Sequence, residues 1–118
     1  MITEDYVSFE VAKLLKEKGF DEPTDKQFNL DKIVGDYNIT DRSRNPERYL
    51  DAPTLQMAMK WLREIHRLHV DIDPLEGNWC TKIVELEDLC EVDKGIALYG
   101  TYEEAAEAGI RYCLENLI

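Results

Sequence analysis

Apolar positions recur at three- and four-residue spacing in three stretches of the chain and at every second position in one, and these two periods mark its elements. The first helical stretch carries Val11, Leu14 and Leu15 on one stripe behind a capping Ser8, and Gly19 followed by Phe20 supplies a left-handed stop. These signals predict a helix over about residues 9 to 18. The second, DAPTLQMAMKWLREIHRLH, opens on Asp51 and Pro53 and repeats Leu55, Ala58, Met59, Leu62 and Ile65, with Met57 and Trp61 widening the apolar face. The third begins at a capping Thr101 with Glu104 three residues on, and sets Ala105, Ala106, Gly109, Ile110, Cys113 and Leu117 on one face. Its small residues predict a helix axis that comes close to whatever it covers.

Between the second and third helices the period falls to two. His69, Asp71 and Asp73 alternate with Val70 and Ile72, PLEGN supplies turn residues, and WCTKIVEL returns as a second strand, which predicts a hairpin. Glu87 to Lys94 reads as a polar connection and IALY, before Gly100, as a short third strand. Residues 21–51 show no sustained period: Phe28, Leu30, Ile33, Val34, Tyr37 and Ile39 suit one short strand pair, and residues 40–51 read as an exposed loop. The expected fold is α+β, a three-stranded antiparallel sheet packed by two main helices in the order helix, strand, strand, strand, helix, with an additional N-terminal helix. The expected organisation is one domain over residues 1–118, with residues 21–51 a variable loop or short hairpin region inside it.

Composition adds little to that fold but narrows the function. The 118 residues are 44% hydrophobic and 33% charged, a globular balance. The net charge of −11 is uneven: residues 1–70 hold 13 acids against 11 bases, and residues 71–118 hold 12 acids against 3 bases. A C-terminal part so acidic repels a phosphate backbone, which disfavours nucleic acid as a partner and suits a basic partner or simple solubility better. No apolar run reaches membrane length, and MITEDYVSFE has acids where a secretion signal has bases, so a cytoplasmic protein is expected. Cys80, Cys90 and Cys113 are odd in number and lack paired spacing, which predicts reduced and mostly buried thiols.

The stretch HRLHVDID holds two histidines and two aspartates in residues 66–73, but strand alternation spaces His69, Asp71 and Asp73 about 6.6 Å apart in a row, which does not converge on a metal. A calcium loop counted from Asp71 would put Glu76 and Lys82 where Gly and Glu are required. GIALYGT has phosphate-loop glycines without the Lys, and Glu103 and Glu104 occupy the following helix start. Ser8 and Ser43 lack a nucleophile context, and Cys80 would need His69 brought to it across the strands. No catalytic residue, metal or cofactor is therefore expected. Trp79 and Glu76 at the turn, with His69, Asp71 and Asp73, are the candidate binding residues, because turn-flanking aromatics are poorly covered in a small domain.

YVSFEVAKLLKEKGFDEP, APTLQMAMKWLREIHRLHVDI and GTYEEAAEAGIRYCLENLI together resemble a group of uncharacterised small proteins of Bacteroides-type bacteria and their phages and mobile elements. The resemblance spans most of the chain except about residues 24 to 50, and it implies an intracellular accessory role of phage type with no activity to carry over. The leading expectation is a non-enzymatic cytoplasmic protein-interaction module whose partner and oligomeric state stay open. Three alternatives remain: an acidic DNA-mimic inhibitor of a DNA-binding protein, a small enzyme using Cys80 or His69, and a domain like those that bind double-stranded RNA. The last shares the element order but lacks the lysines that grip phosphate.

Overall fold

A computed structural model describes residues 2–29, 31–36 and 49–118. The chain divides into two compact units, Met1–Thr54 and Leu55–Ile118. The first is built from helix α1 (Phe9–Glu17) and strands β1 (Lys26–Phe28), β2 (Val34–Asp36) and β3 (Leu50–Asp51). The second is built from α2 (Leu55–Ile65), β4 (Leu68–Leu75), β5 (Asn78–Glu85), β6 (Cys90–Glu91), β7 (Leu98–Tyr99) and α3 (Tyr102–Asn116).

In the first unit Ser8 caps α1, its hydroxyl accepting from the Val11 amide at 3.2 Å. The helix ends in a Schellman turn: Gly19 has φ +96°, its amide donates to Lys16, and the Phe20 amide donates to Leu15 at 2.9 Å. Leu15 and Phe20, both buried, make the apolar closure of that turn. Gly19→Ala is expected to lose about 1 kcal/mol, because only glycine takes this φ without strain. Equilibrium urea unfolding checks it, and an unchanged midpoint would refute the assignment of the strain to this residue.

The first unit's strands form an antiparallel sheet in the order β2, β1, β3, with Gln27 opposite both Gly35 and Asp51. Asn29 organises the β1 to β2 turn by accepting from the Asp31 and Ile33 amides at 2.9 and 3.1 Å. Lys26 and Asp36 pair at the open end of this ladder. Of the six residues assigned to a strand pair, Phe28 and Val34 lie in strands and Ile33 adjoins one, whereas Leu30, Tyr37 and Ile39 lie outside the described residues.

The second unit is a sheet with two helices against it. β5 is its central strand: β4 pairs with it along its whole length, while β6 and β7 pair with its other edge at opposite ends. α2 lies against β4 and α3, and α3 lies against β4, β5 and β7. The buried face of the sheet carries Leu68, Val70, Thr81 and Ile83, and the helices meet it with Leu55, Ala58, Met59, Leu62, Ala105, Ala106, Ile110, Cys113 and Leu114. Complete burial of a Leu or Ile in this layer stabilises by about 1.5 to 3 kcal/mol. Gly109 marks the closest approach, for a β-carbon there would meet Thr81 Cγ2 at 2.5 Å and Val70 Cγ1 at 2.6 Å. Thr81 donates its hydroxyl to the Ala105 carbonyl at 2.6 Å, tying β5 to the start of α3.

A single three-stranded sheet is therefore incorrect: the described residues form three helices and two antiparallel sheets, of three and four strands. The unexpected strands β3 and β6 are two residues long, too short to display an alternating period. The polar connection from Glu87 to Lys94 contains one of them, because the Val92 amide reaches the Ile83 carbonyl at 2.7 Å and sets Glu91 beside Val84. The second helix starts at Leu55 rather than at Asp51. Asp51 is held in β3, and the Pro53 carbonyl and Thr54 are engaged by Val7 and Tyr6. No helix among the described residues is long and apolar enough to cross a membrane.

Candidate functional site

α2 and α3 pack on one face of the second sheet, so the alternation of β4 and β5 sends the intervening residues to the other. The hairpin turns through Glu76 and Gly77, both at positive φ, 51° and 78°, with Leu75 opposite Asn78. The turn is thus two residues rather than the five of PLEGN, and the strands extend through Pro74 and Trp79. From this register the helix-free face carries His69, Asp71, Asp73 and Leu75 on β4, and Asn78, Cys80, Lys82 and Val84 on β5. Glu91 and Leu98 continue it beside Val84 and Cys80.

His69, Asp71 and Asp73 form one partly exposed row on this face. Asp71 stands opposite Lys82, and the Lys82 ammonium lies 3.6 Å from Asp73. Both partners are nearly half exposed, so the pair contributes no more than about 1 kcal/mol and leaves the acid row accessible. Trp79 is on the opposite face, half-buried and edge-to-face with Tyr102 at 5.6 Å. Glu76 sits exposed in the turn. The structure therefore gathers His69, Asp71 and Asp73 and separates Trp79 from them.

The chemistry open to these residues is narrow. Cys80 is opposite Asp73 and His69 opposite Val84, four residues apart along the ladder or about 13 Å, too far for a thiol and its base to exchange a proton. His66 is turned away from the row and stacks edge-to-face on Trp61 at 4.7 Å. Among the described residues no group of three or more His, Cys, Asp or Glu side chains is placed to hold a metal ion. Of the three thiols, all free, only Cys113 is buried; Cys80 is half-buried and Cys90 exposed, which corrects the expectation that most are covered. Burial pushes the Cys113 thiol up to about 12.

The described residues of each unit line a concavity. One of about 370 Å³ lies beside the turn end of the hairpin, lined by Asp73, Leu75, Cys80, Lys82, Lys94 and Ile96. The other, about 890 Å³, is in the first unit between the end of α1 and β3, and Lys16, Phe20, Glu22, Thr24 and Asp51 line it. Both mix charges of either sign. Sequence reasoning passed over Lys82, Leu98 and Ile96, the last 87% exposed. Alternation within WCTKIVEL places Lys82 with Cys80, but only the pairing of β7 with β5 brings Leu98 to that face. Comparison with protein-family models, with curated proteins and with solved structures returns no match.

Proposed function

We propose that this protein is a non-enzymatic cytoplasmic interaction module, a phage or mobile-element accessory protein whose acidic second unit docks on a basic protein surface. The observation that carries this reading is the helix-free face of the second sheet, where His69, Asp71 and Asp73 stand in a row on a unit whose residues 71–118 hold 12 acids against 3 bases. A net excess of acid on a sheet selects basic partners and speeds their encounter. The distance between Cys80 and His69 weighs against the enzymatic alternative.

A pull-down from the native host with wild-type protein and with an Asp71→Lys/Asp73→Lys variant as baits tests the reading. The expected result is a basic protein held by the wild type at about 0.05 M salt, released near 1 M as the Debye length shrinks to about 3 Å, and missed by the variant. Capture by both baits, or capture insensitive to salt, would overturn it.

A further inference from the structure

Among the described residues β4 has a strand on one side only. Its partner is β5, and among the described residues no strand pairs with its other edge. Leu75 and Asn78 close a two-residue turn and so form a hydrogen-bonded pair, and the pairs alternate from there along the ladder. His69, Asp71 and Asp73 accordingly spend their backbone groups on β5. Leu68, Val70, Ile72 and Pro74 direct theirs away from it. Among the described residues no other backbone bond engages Val70 or Ile72. The edge therefore offers the amides and carbonyls of Val70 and Ile72 at strand spacing, and it stops at Pro74, which has no amide to offer.

The two sides of this edge differ in chemistry. Towards the helices stand Leu68, Val70 and Ile72; on the open face stand His69, Asp71 and Asp73. A strand added here would set its alternate side chains beside the acid row and the intervening ones beside the aliphatic row, about 5 Å from their neighbours. Antiparallel pairing of two copies of β4 centred on Ile72 would put Asp71 of each copy opposite Asp73 of the other, and like charges directly opposite are destabilising. In that register the acid row opposes a second copy, and the same residues would select a basic strand.

We propose that β4 binds its partner by strand addition, taking an extended segment in which Lys or Arg alternates with aliphatic residues. This rests on the acidic-docking reading above and adds to it the site, the register and the sequence pattern of the partner.

The test uses the full chain and a capped synthetic peptide of alternating Lys and Val about eight residues long, the length of an ordinary strand. Two controls accompany it: a peptide of the same composition with its lysines and valines in separate blocks, and the alternating peptide N-methylated at every second residue on its β4-facing side. Affinity is read by fluorescence anisotropy, and exchange of the Val70 and Ile72 amides by NMR. The alternating peptide is expected to bind at least about tenfold tighter than either control and to slow exchange at Val70 and Ile72, since each lost backbone bond to a strand edge weakens binding by about that factor. Ile72→Pro, which removes an outward amide and leaves the β4 to β5 bonds in place, should weaken the alternating peptide to the same degree. Because the controls alter the peptide, a folding defect in that variant cannot produce the result. Equal affinity for all three peptides, or unchanged exchange at Val70 and Ile72, would overturn strand addition. If such binding is still abolished by Asp71→Lys/Asp73→Lys, the acidic-docking reading survives while strand addition falls; if the charge reversal has no effect, the acidic reading falls with it.

Discussion

Gly109→Val is expected to lose at least about 3 kcal/mol of stability, and Gly109→Ala about 1 kcal/mol. The glycine lies in the middle of α3, where alanine would ordinarily gain about 1 kcal/mol of helix propensity. Against that gain stands the space the β-carbon needs, already held by Thr81 Cγ2 at 2.5 Å and Val70 Cγ1 at 2.6 Å. Both methyls belong to β-branched side chains with one preferred rotamer and buried positions, so neither swings aside cheaply. The backbone of α3 would have to lift from the sheet, at the expense of the 2.6 Å bond between Thr81 and the Ala105 carbonyl. Urea unfolding would show a lower midpoint at unchanged slope. Thr81→Ser keeps the hydroxyl and removes the nearest methyl, so added to Gly109→Ala it should recover part of the loss, a positive coupling between neighbours. A Gly109→Ala variant more stable than wild type would show that the helix does not approach the sheet this closely.

Stability should fall from about pH 9 upward because of Cys113. In the unfolded chain this thiol loses its proton near its ordinary 9.0; in the folded chain burial raises that value to about 12, the nearby Lys94 charge offsetting only part of the effect. Between those values the unfolded state has released a proton that the folded state retains, so unfolding is increasingly favoured as pH rises. The contribution is complete below pH 9 and is lost through the window up to about 12, on the order of 4 kcal/mol at its top. Cys113→Ala costs packing at neutral pH but removes this proton release. The difference between the two proteins should therefore shrink from pH 7 to pH 11 in denaturant titrations, and parallel profiles would refute the account. A thiol reagent should label exposed Cys90 in the native protein and reach Cys113 only on unfolding.

The hairpin shows how a strong local pattern is read correctly and still incompletely. His69, Asp71 and Asp73 alternate with Val70 and Ile72, and the sheet places them on the two faces that this alternation requires. What it did not reveal was the turn, because Pro74 and Leu75 look like turn residues in PLEGN. Pro74 fits within β4 because its missing amide falls on the unpaired edge, a condition set by the pairing and not by the residue. Trp79, expected to be exposed beside the turn, is half-buried for a related reason. An aromatic beside a turn is exposed only if nothing covers that face, and Tyr102 from α3 covers it.

The sequence by itself determined helices α1, α2 and α3, the caps at Ser8 and Thr101, the glycine stop at Gly19, and the small-residue face of α3, since each depends on side chains within one or two turns of one another. It also determined the excess of acid after residue 70. Only the tertiary structure decided that there are two sheets. β3 is a strand because Leu50 and Asp51 find Phe28 and Gln27 more than twenty residues away, and β6 is one because Cys90 and Glu91 find the end of β5. Two-residue strands have no period of their own; their conformation is fixed by hydrogen bonds to a partner that local sequence does not name. The same applies to the open edge of β4, which exists only because every other strand of its sheet lies on the far side of β5.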